Sequence, residues 1–356
     1  MSDMTHLKNF SLLIGTIIIF SLTLFVGGEW YLGLKYDADH RRIASEISSM
    51  GNGLCYAPSS NPKLIYTFTP NNHQFPCWIN SQGYRDYEYP LRKNSNTFRI
   101  LIIGDSVATG YGVTLDETFG KILEQRLNDH QRHLPANVEV ITLARNGYST
   151  SQEIIILENE AFRYSPDLII WSYVLNDPAD PIFHNANGEI GKYFYKPRFH
   201  MIDWIKREIF LAHEKRGKTD CPKEYHEMLH CVYWNQVESH LLHIGQISKE
   251  KNIPIVFLIH PVFKKGTSFQ AYPLTSLHSK LANLASRMGL MVADGLEPYL
   301  TFHPDELRQP VQDGYDPWHP NAKGHRVLAE YLYHKILQGH YIEDRQCPGI
   351  HCGTHI

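Results

Sequence analysis

The sequence predicts an α/β fold: a central parallel sheet of five strands covered by helices on both faces, preceded by an N-terminal transmembrane helix. Three observations carry this prediction. From Phe98 onward, apolar runs of strand length alternate with segments whose apolar residues recur at helical spacing. The short runs are mainly apolar, as strands buried on both faces tend to be. Ahead of them, Phe10 to Val26 is almost wholly apolar and carries no charge.

Taken in order, residues 1–9 read as a short tail and residues 10–28 as an anchor of about the shortest length that spans a bilayer. Trp30 and Tyr31 follow, as interfacial aromatics would. A cleaved signal peptide is the rival reading, but the apolar run is long for a signal core. Charge leaves orientation ambiguous, with Lys8 before the span and Lys35, Arg41 and Arg42 after it. Residues 29–97, punctuated by Pro58, Pro62, Pro70, Pro76 and Pro90, read as loops and short strands that pack on the body of the protein. That body is expected over residues 98–340. Its strands are predicted at Phe98–Ile103, Val138–Leu143, Leu168–Tyr173, Ile253–Ile259 and Leu290–Ala293. Its helices are predicted at Glu117–Leu127, Ser151–Phe162, Trp234–Glu250, Leu274–Met288 and Gly324–Leu337. Residues 178–233 interrupt the alternation and read as an insertion of the kind that forms lids or binding loops. Residues 341–356 form a C-terminal tail.

Composition narrows the class. With 43% hydrophobic and 20% charged residues the chain is globular, and a net charge of −3 argues against a nucleic-acid partner. Gly110-Tyr-Gly112 lacks a third glycine and there is no phosphate loop, so no cofactor is expected. The six cysteines fall as near neighbours: Cys55 and Cys77, Cys221 and Cys231, Cys347 and Cys352. Local disulfides 55–77, 221–231 and 347–352 would suit an oxidising compartment, although six cysteines allow about 15 connectivities. Anchor and cysteines together suggest a short inside tail and a body outside the cytoplasm.

The chemistry lies in the turns after the strands. Gly104-Asp105-Ser106 leaves the first strand, Ala144-Arg-Asn-Gly147 the second and Leu175-Asn176-Asp177 the third, while Asp316-Pro-Trp-His319 opens the last helix. In a doubly wound sheet such loops converge on one edge. A serine hydroxyl needs a base to take its proton. His319 can be that base, and Asp316, three residues earlier, can hold the imidazole in the required tautomer. Backbone N–H groups of Ser106 and Gly147 with the Asn176 amide would form an oxyanion hole. Asp105 is expected to fix the nucleophile loop and Asp177 to brace its turn.

These four ordered motifs, spread over Phe98 to Leu337, resemble the SGNH (GDSL-type) hydrolases, whose letters correspond to Ser106, Gly147, Asn176 and His319 here. The resemblance implies a flavodoxin-like three-layer α/β/α fold and ester hydrolysis or acyl transfer through a serine ester. One departure is visible: Val174 stands where the third motif usually has glycine. Membrane-anchored members with an outside body suggest acyl esters of envelope glycans or lipids as substrates. Alternatives are an O-acyltransferase of the same fold and a non-catalytic scaffold module. A third is a zinc protease built on His226-Glu227-Met-Leu-His230 with Glu250 as a further ligand. The short stretch between Cys221 and Cys231 argues against the last, and no metal is expected.

Overall fold

The structure, a computed structural model, describes residues 2–49, 55–74, 76–129, 137–178, 191, 193–311, 314–339 and 341–342. It opens with a single long helix, α1 (Ser2–Ser49). This corrects the expectation of loops and short strands directly after residue 28. Residues 29–49 contain no proline, the first in the chain being Pro58, so the helix can run on past the apolar stretch. Its apolar part meets the length and composition needed to cross a membrane.

A small antiparallel ribbon of β1 (Tyr56–Pro58) and β2 (Tyr66–Phe68) follows. The main sheet then begins with β3 (Thr97–Gly104), which pairs in parallel with β4 (Asn137–Ala144) on one side and β5 (Leu168–Tyr173) on the other. β6 (Ile255–Ile259) and β7 (Met291–Asp294) complete it, also in parallel. The order β4-β3-β5-β6-β7 reverses direction at β3, so the loops leaving β3 and β5 border the crevice where such sheets bind ligands. Every residue of β3 and β5 is buried, which accounts for their mainly apolar character; Arg99 and Ser172 are the polar side chains within the runs at 98–103 and 168–173.

Alternate residues of β3 face two cores. After the short α2 (Ser106–Thr109), Leu123 and Leu127 of α3 (Phe119–Asp129) pack with Ile100 and Ile102, as do Leu328 and Leu332 of a C-terminal helix over Ala322–Gln338. Leu101 and Ile103 face the other core. It includes Ile156 of α4 (Thr150–Asn159), Leu241 of a helix over Tyr225–Lys251 and Leu281 of a helix over Thr275–Arg287. The second core also takes in Tyr56, Tyr66, Phe68 and Tyr84, so the segment before β3 shares the interior of the body.

The predicted elements recur with shifted ends. The helix expected from Trp234 starts earlier, at Tyr225, and the interruption at 178–233 holds a further helix over His200–Asp220. The last three helices are therefore numbered after α5 (His200–Asp220) and α6 (Tyr225–Lys251): α7 (Thr275–Arg287), α8 (Pro304–Leu307) and α9 (Ala322–Gln338). Disulfides join Cys55 to Cys77 and Cys221 to Cys231. The expected pair Cys347 and Cys352 lies outside the described residues.

Candidate active site

The end of β3 sets the position of Ser106. Gly104 is packed so closely that a Cβ there would lie 2.8 Å from Ser172 Cβ and 2.9 Å from the Ser172 carbonyl oxygen. Only glycine lets the strand end approach β5 at that distance. Asp105 then caps the short helix Ser106–Thr109, its Oδ1 accepting from the Val107 N–H at 2.9 Å. This presents Ser106 at the start of the helix, largely buried, with its hydroxyl turned toward His319.

His319 Nε2 lies 2.8 Å from Ser106 Oγ, and His319 Nδ1 lies 2.8 Å from Asp316 Oδ2. Asp316 Oδ1 also accepts from the backbone N–H groups of Trp318 (2.9 Å) and His319 (3.1 Å). The Asp316–His319 segment is thereby folded around its own carboxylate. Burial works against charge on Asp316, but the His319 imidazole and these backbone donors outweigh it and hold its pKa below the ordinary value. An ionised Asp316 accepts a hydrogen bond from Nδ1–H, which keeps that proton on Nδ1 and leaves Nε2 free to accept the serine proton. The arrangement can therefore perform nucleophilic acyl chemistry.

The other predicted residues sit on the neighbouring loops. In register, Gly104 pairs with Ala144 and with Ser172, so the loops carrying Gly147 and Asn176 emerge on either side of Ser106. Gly147 has φ +73°, a left-handed conformation that favours glycine. Asn176 is half-buried, and its Oδ1 has no hydrogen-bond partner among the described residues. Asp177 braces its turn, accepting from the Val174 N–H at 2.8 Å, and its carbonyl oxygen accepts from Thr150 N–H at 3.3 Å. Behind Ser106 lie three buried carboxyls, Asp105, Asp177 and Glu153. Burial raises all three pKa values; Asp105 raises that of Glu153 further, and Glu153 and then Asp105 raise that of Asp177.

Several supports were not legible in the sequence. Arg85 donates to the carbonyl oxygens of Thr109 (2.6 Å) and Val113 (2.7 Å), clamping the chain just after Ser106. Tyr66 donates to the Asn146 carbonyl oxygen at 2.7 Å, and Asn146 Nδ2 donates to Tyr56 at 2.9 Å, which fixes the residue before Gly147 from the β1–β2 ribbon. Tyr111 lies against the His319 ring with centroids 4.5 Å apart. Its place in Gly110-Tyr-Gly112, directly after the nucleophile turn, was the one available signal.

The H-E-x-x-H stretch lies on the first turns of α6. His230 is buried, with Nδ1 2.8 Å from the His226 carbonyl oxygen and Nε2 2.9 Å from Tyr173 OH. His226 Nδ1 lies 2.8 Å from Glu224, and its ring meets Trp318 edge-on at 5.0 Å. Among the described residues no group of three His, Cys, Asp or Glu side chains is gathered to hold a metal ion. The two histidines act in packing, and His226 buttresses the loop that carries His319.

Solved structures similar to the chain include the psychrotrophic esterase EstA from Pseudoalteromonas sp., at 16% identity, covering 69% of this chain and 98% of that one with a TM-score of 0.41. A lipase/acylhydrolase from Enterococcus faecalis shares 17% identity over 68% of this chain and 96% of that one, with a TM-score of 0.41. A GDSL-like lipase from Bacteroides thetaiotaomicron shares 12% over 68% and 88%, with a TM-score of 0.37. No curated protein matches the chain by sequence. A family model described as GDSL-like lipase/acylhydrolase matches residues 102–327, a span that holds Ser106, Gly147, Asn176, Asp316 and His319. By that match, which covers more than half of its length, the protein belongs to the GDSL-like lipase/acylhydrolase family and is a carboxylic ester hydrolase.

Proposed function

We propose that the protein is a membrane-anchored serine esterase that removes O-acyl groups, acetyl foremost, from an envelope glycan or a lipid ester through an acyl-serine intermediate. The single observation that carries the reading is the unbroken hydrogen-bond chain from Ser106 Oγ through His319 to Asp316. Ser106 Oγ attacks the ester carbonyl as His319 Nε2 takes its proton. The oxyanion is held by the backbone N–H groups of Ser106 and Gly147 and by the Asn176 amide. His319 returns the proton to the leaving alkoxide, then activates water to release the acid from Ser106. Residues 98–340 form the catalytic unit in this reading, with residues 29–97 as its N-terminal extension.

The apolar part of α1 and the two disulfides support an anchor with the body in an oxidising compartment outside the cytoplasm. Anchoring raises the local concentration of substrates at that surface. The test uses the full chain in detergent. Incubation with p-nitrophenyl acetate, quenched in acid, should yield a peptide carrying Ser106 that is heavier by one acetyl group. Ser106→Ala should lose about three orders of magnitude or more in turnover while keeping the wild-type melting temperature. An Ala variant that cleaves the ester at the wild-type rate refutes the nucleophile. Acyl groups recovered mainly on an added glycan, with little free acid, would instead favour the transferase of the same fold.

A further inference from the structure

We infer that α5 is a second membrane contact: an amphipathic helix that lies on the lipid surface beside the anchor and is drawn there by anionic headgroups. The inference rests on the anchoring reading above and concerns a segment that the ester chemistry does not use.

The start of α5 is fixed at the end of the apolar run of α1. The Glu29 carboxylate accepts from the backbone N–H groups of His200 (2.7 Å) and Met201 (2.8 Å), so a residue of the anchor helix caps α5. Phe199 lies beside Phe25, with ring centroids 6.4 Å apart. Met201 packs so closely on Gly28 that a Cβ there would lie 2.5 Å from its Sδ. Phe25 and Gly28 belong to the last turn of the uncharged stretch, and Glu29 is the first charge after it. With α1 in a bilayer, α5 therefore begins at the level where hydrocarbon gives way to headgroups.

From that point α5 exposes apolar side chains that no part of the described chain covers. Projected down the helix at about 100° per residue, Ile202, Ile205, Ile209, Trp204 and Leu211 fall on one half of its circumference. All five are exposed, Ile209 to 67%. Up to Leu211, Glu208 is the one charge on this half, and Lys206, Arg207 and Asp203 lie on the other; beyond Leu211, Lys215 and Arg216 fall on the apolar half, which therefore spans about the first three turns. Phe210, on the polar half, packs on Tyr233 of α6 with ring centroids 6.1 Å apart. The attachment to the body thus uses a different face from the apolar one.

Charge selects the occupant. Between Lys196 and Asp220 the sequence has seven Lys or Arg and four Asp or Glu, although the chain as a whole carries a net charge of −3. A basic amphipathic helix with Trp and Ile on its apolar side binds a lipid interface by burying that side and pairing its cations with anionic headgroups. Continuity with the anchor through Glu29, Phe25 and Gly28 favours lipid over a second protein as the cover. Two contacts in place of one would fix how far the cleft stands from the surface and which way it faces.

The test uses the full chain with Cys347→Ser and Cys352→Ser, so that one introduced thiol stands beside the two disulfides. Single variants Ile205→Cys, Ile209→Cys, Arg207→Cys and Ile18→Cys are labelled with a nitrobenzoxadiazole dye. They are reconstituted in nanodiscs of phosphatidylcholine and phosphatidylglycerol containing lipids with doxyl groups on the acyl chain. Labels at 205 and 209 should be quenched at least twofold more than the label at 207, with the label at 18 as the reference for a buried site. Equal quenching at 205, 207 and 209, with strong quenching at 18, overturns the inference and leaves the anchor standing. Labels at 205 and 209 that are shielded from aqueous iodide but untouched by doxyl lipid would mean a protein cover, and also overturn it. An unquenched label at 18 refutes the anchor and this inference together.

Discussion

Asp316→Asn should abolish most of the activity while leaving the fold almost unchanged, and the reason is the division of labour between the two carboxylate oxygens. Oδ1 accepts from the backbone N–H groups of Trp318 and His319, and Oδ2 faces His319 Nδ1 at 2.8 Å. An asparagine has one oxygen. The two backbone donors claim it, because leaving them unpaired costs about 1–3 kcal/mol. The amide nitrogen is then left facing Nδ1, and it can only donate. The imidazole answers by carrying its proton on Nε2, where it confronts Ser106 with a donor in place of a base. The wrong tautomer of a triad histidine costs about 10⁴ in kcat, or about 5.5 kcal/mol of transition-state stabilisation. Asp316→Ala removes the orienting group without imposing that tautomer, so it should be the more active of the two variants. It also strips two backbone N–H groups of their acceptor and should be the less stable. The assay is turnover of p-nitrophenyl acetate by full-length protein in detergent, with melting temperature measured on the same samples. The expected order is wild type, Ala, Asn in kcat, and wild type, Asn, Ala in stability. An Asn variant within tenfold of wild type, or one faster than Ala, would refute the tautomer argument.

Three further outcomes are expected. Gly104→Ala places a methyl group against Ser172 and Ala108, with all three nearest atoms within 3.0 Å, and should cost about 1–3 kcal/mol of stability and lower kcat by displacing Ser106; an unchanged melting temperature would contradict the packing. Glu153 is fully buried and neither carboxyl oxygen has a hydrogen-bond partner among the described residues, so burial holds its pKa well above the ordinary value. Its folded form keeps a proton that the unfolded chain releases near pH 4.5. The stability linked to that proton is present below this pH and is lost as pH rises toward the folded value, at up to about 1.4 kcal/mol per pH unit. Glu153→Gln should therefore gain on wild type in denaturation midpoint as pH rises from the ordinary glutamate value, whereas parallel curves would place an ionised carboxylate there. Cys55→Ser with Cys77→Ser opens a loop of 22 residues and should cost about 3 kcal/mol. Because that loop carries Tyr56 and Tyr66, which hold Asn146, the variant's esterase activity should also fail at a lower temperature than that of wild type.

The parallel sheet was legible in the sequence because strands buried on both faces cannot hide their composition. The runs at 98–103 and 168–173 are apolar at all but one position and the run at 138–143 at four of six, and each lies within a strand of the structure. The triad was legible for a related reason: Gly-Asp-Ser and Asp-x-x-His are short motifs whose chemistry depends on neighbours along the chain. Asp316 reaches His319 within one turn of its own segment, so no long-range packing has to be known. The H-E-x-x-H stretch stayed open as an alternative for the converse reason. Spacing can put two imidazoles on one helical face, but it cannot show that Tyr173, a distant residue on β5, already occupies His230 Nε2.

By itself, the sequence determined the layer architecture and the apolar N-terminal helix, and it singled out near-neighbour cysteine pairs and a candidate Ser106, Asp316 and His319 set. Each rests on periodicity or on spacing within a short segment, and both are properties of the local chain. Tertiary structure alone decided the rest. It closed the 2.8 Å gap between Ser106 and His319, residues separated by 213 positions. It put Arg85 and Tyr66 to work on the loops around the nucleophile, and it joined Glu29 to the first turn of α5. Arginine, tyrosine and glutamate are ordinary surface residues in a sequence. Their roles here come from which backbone carbonyl and N–H groups the folded chain leaves within reach, and only the packing of distant segments specifies that.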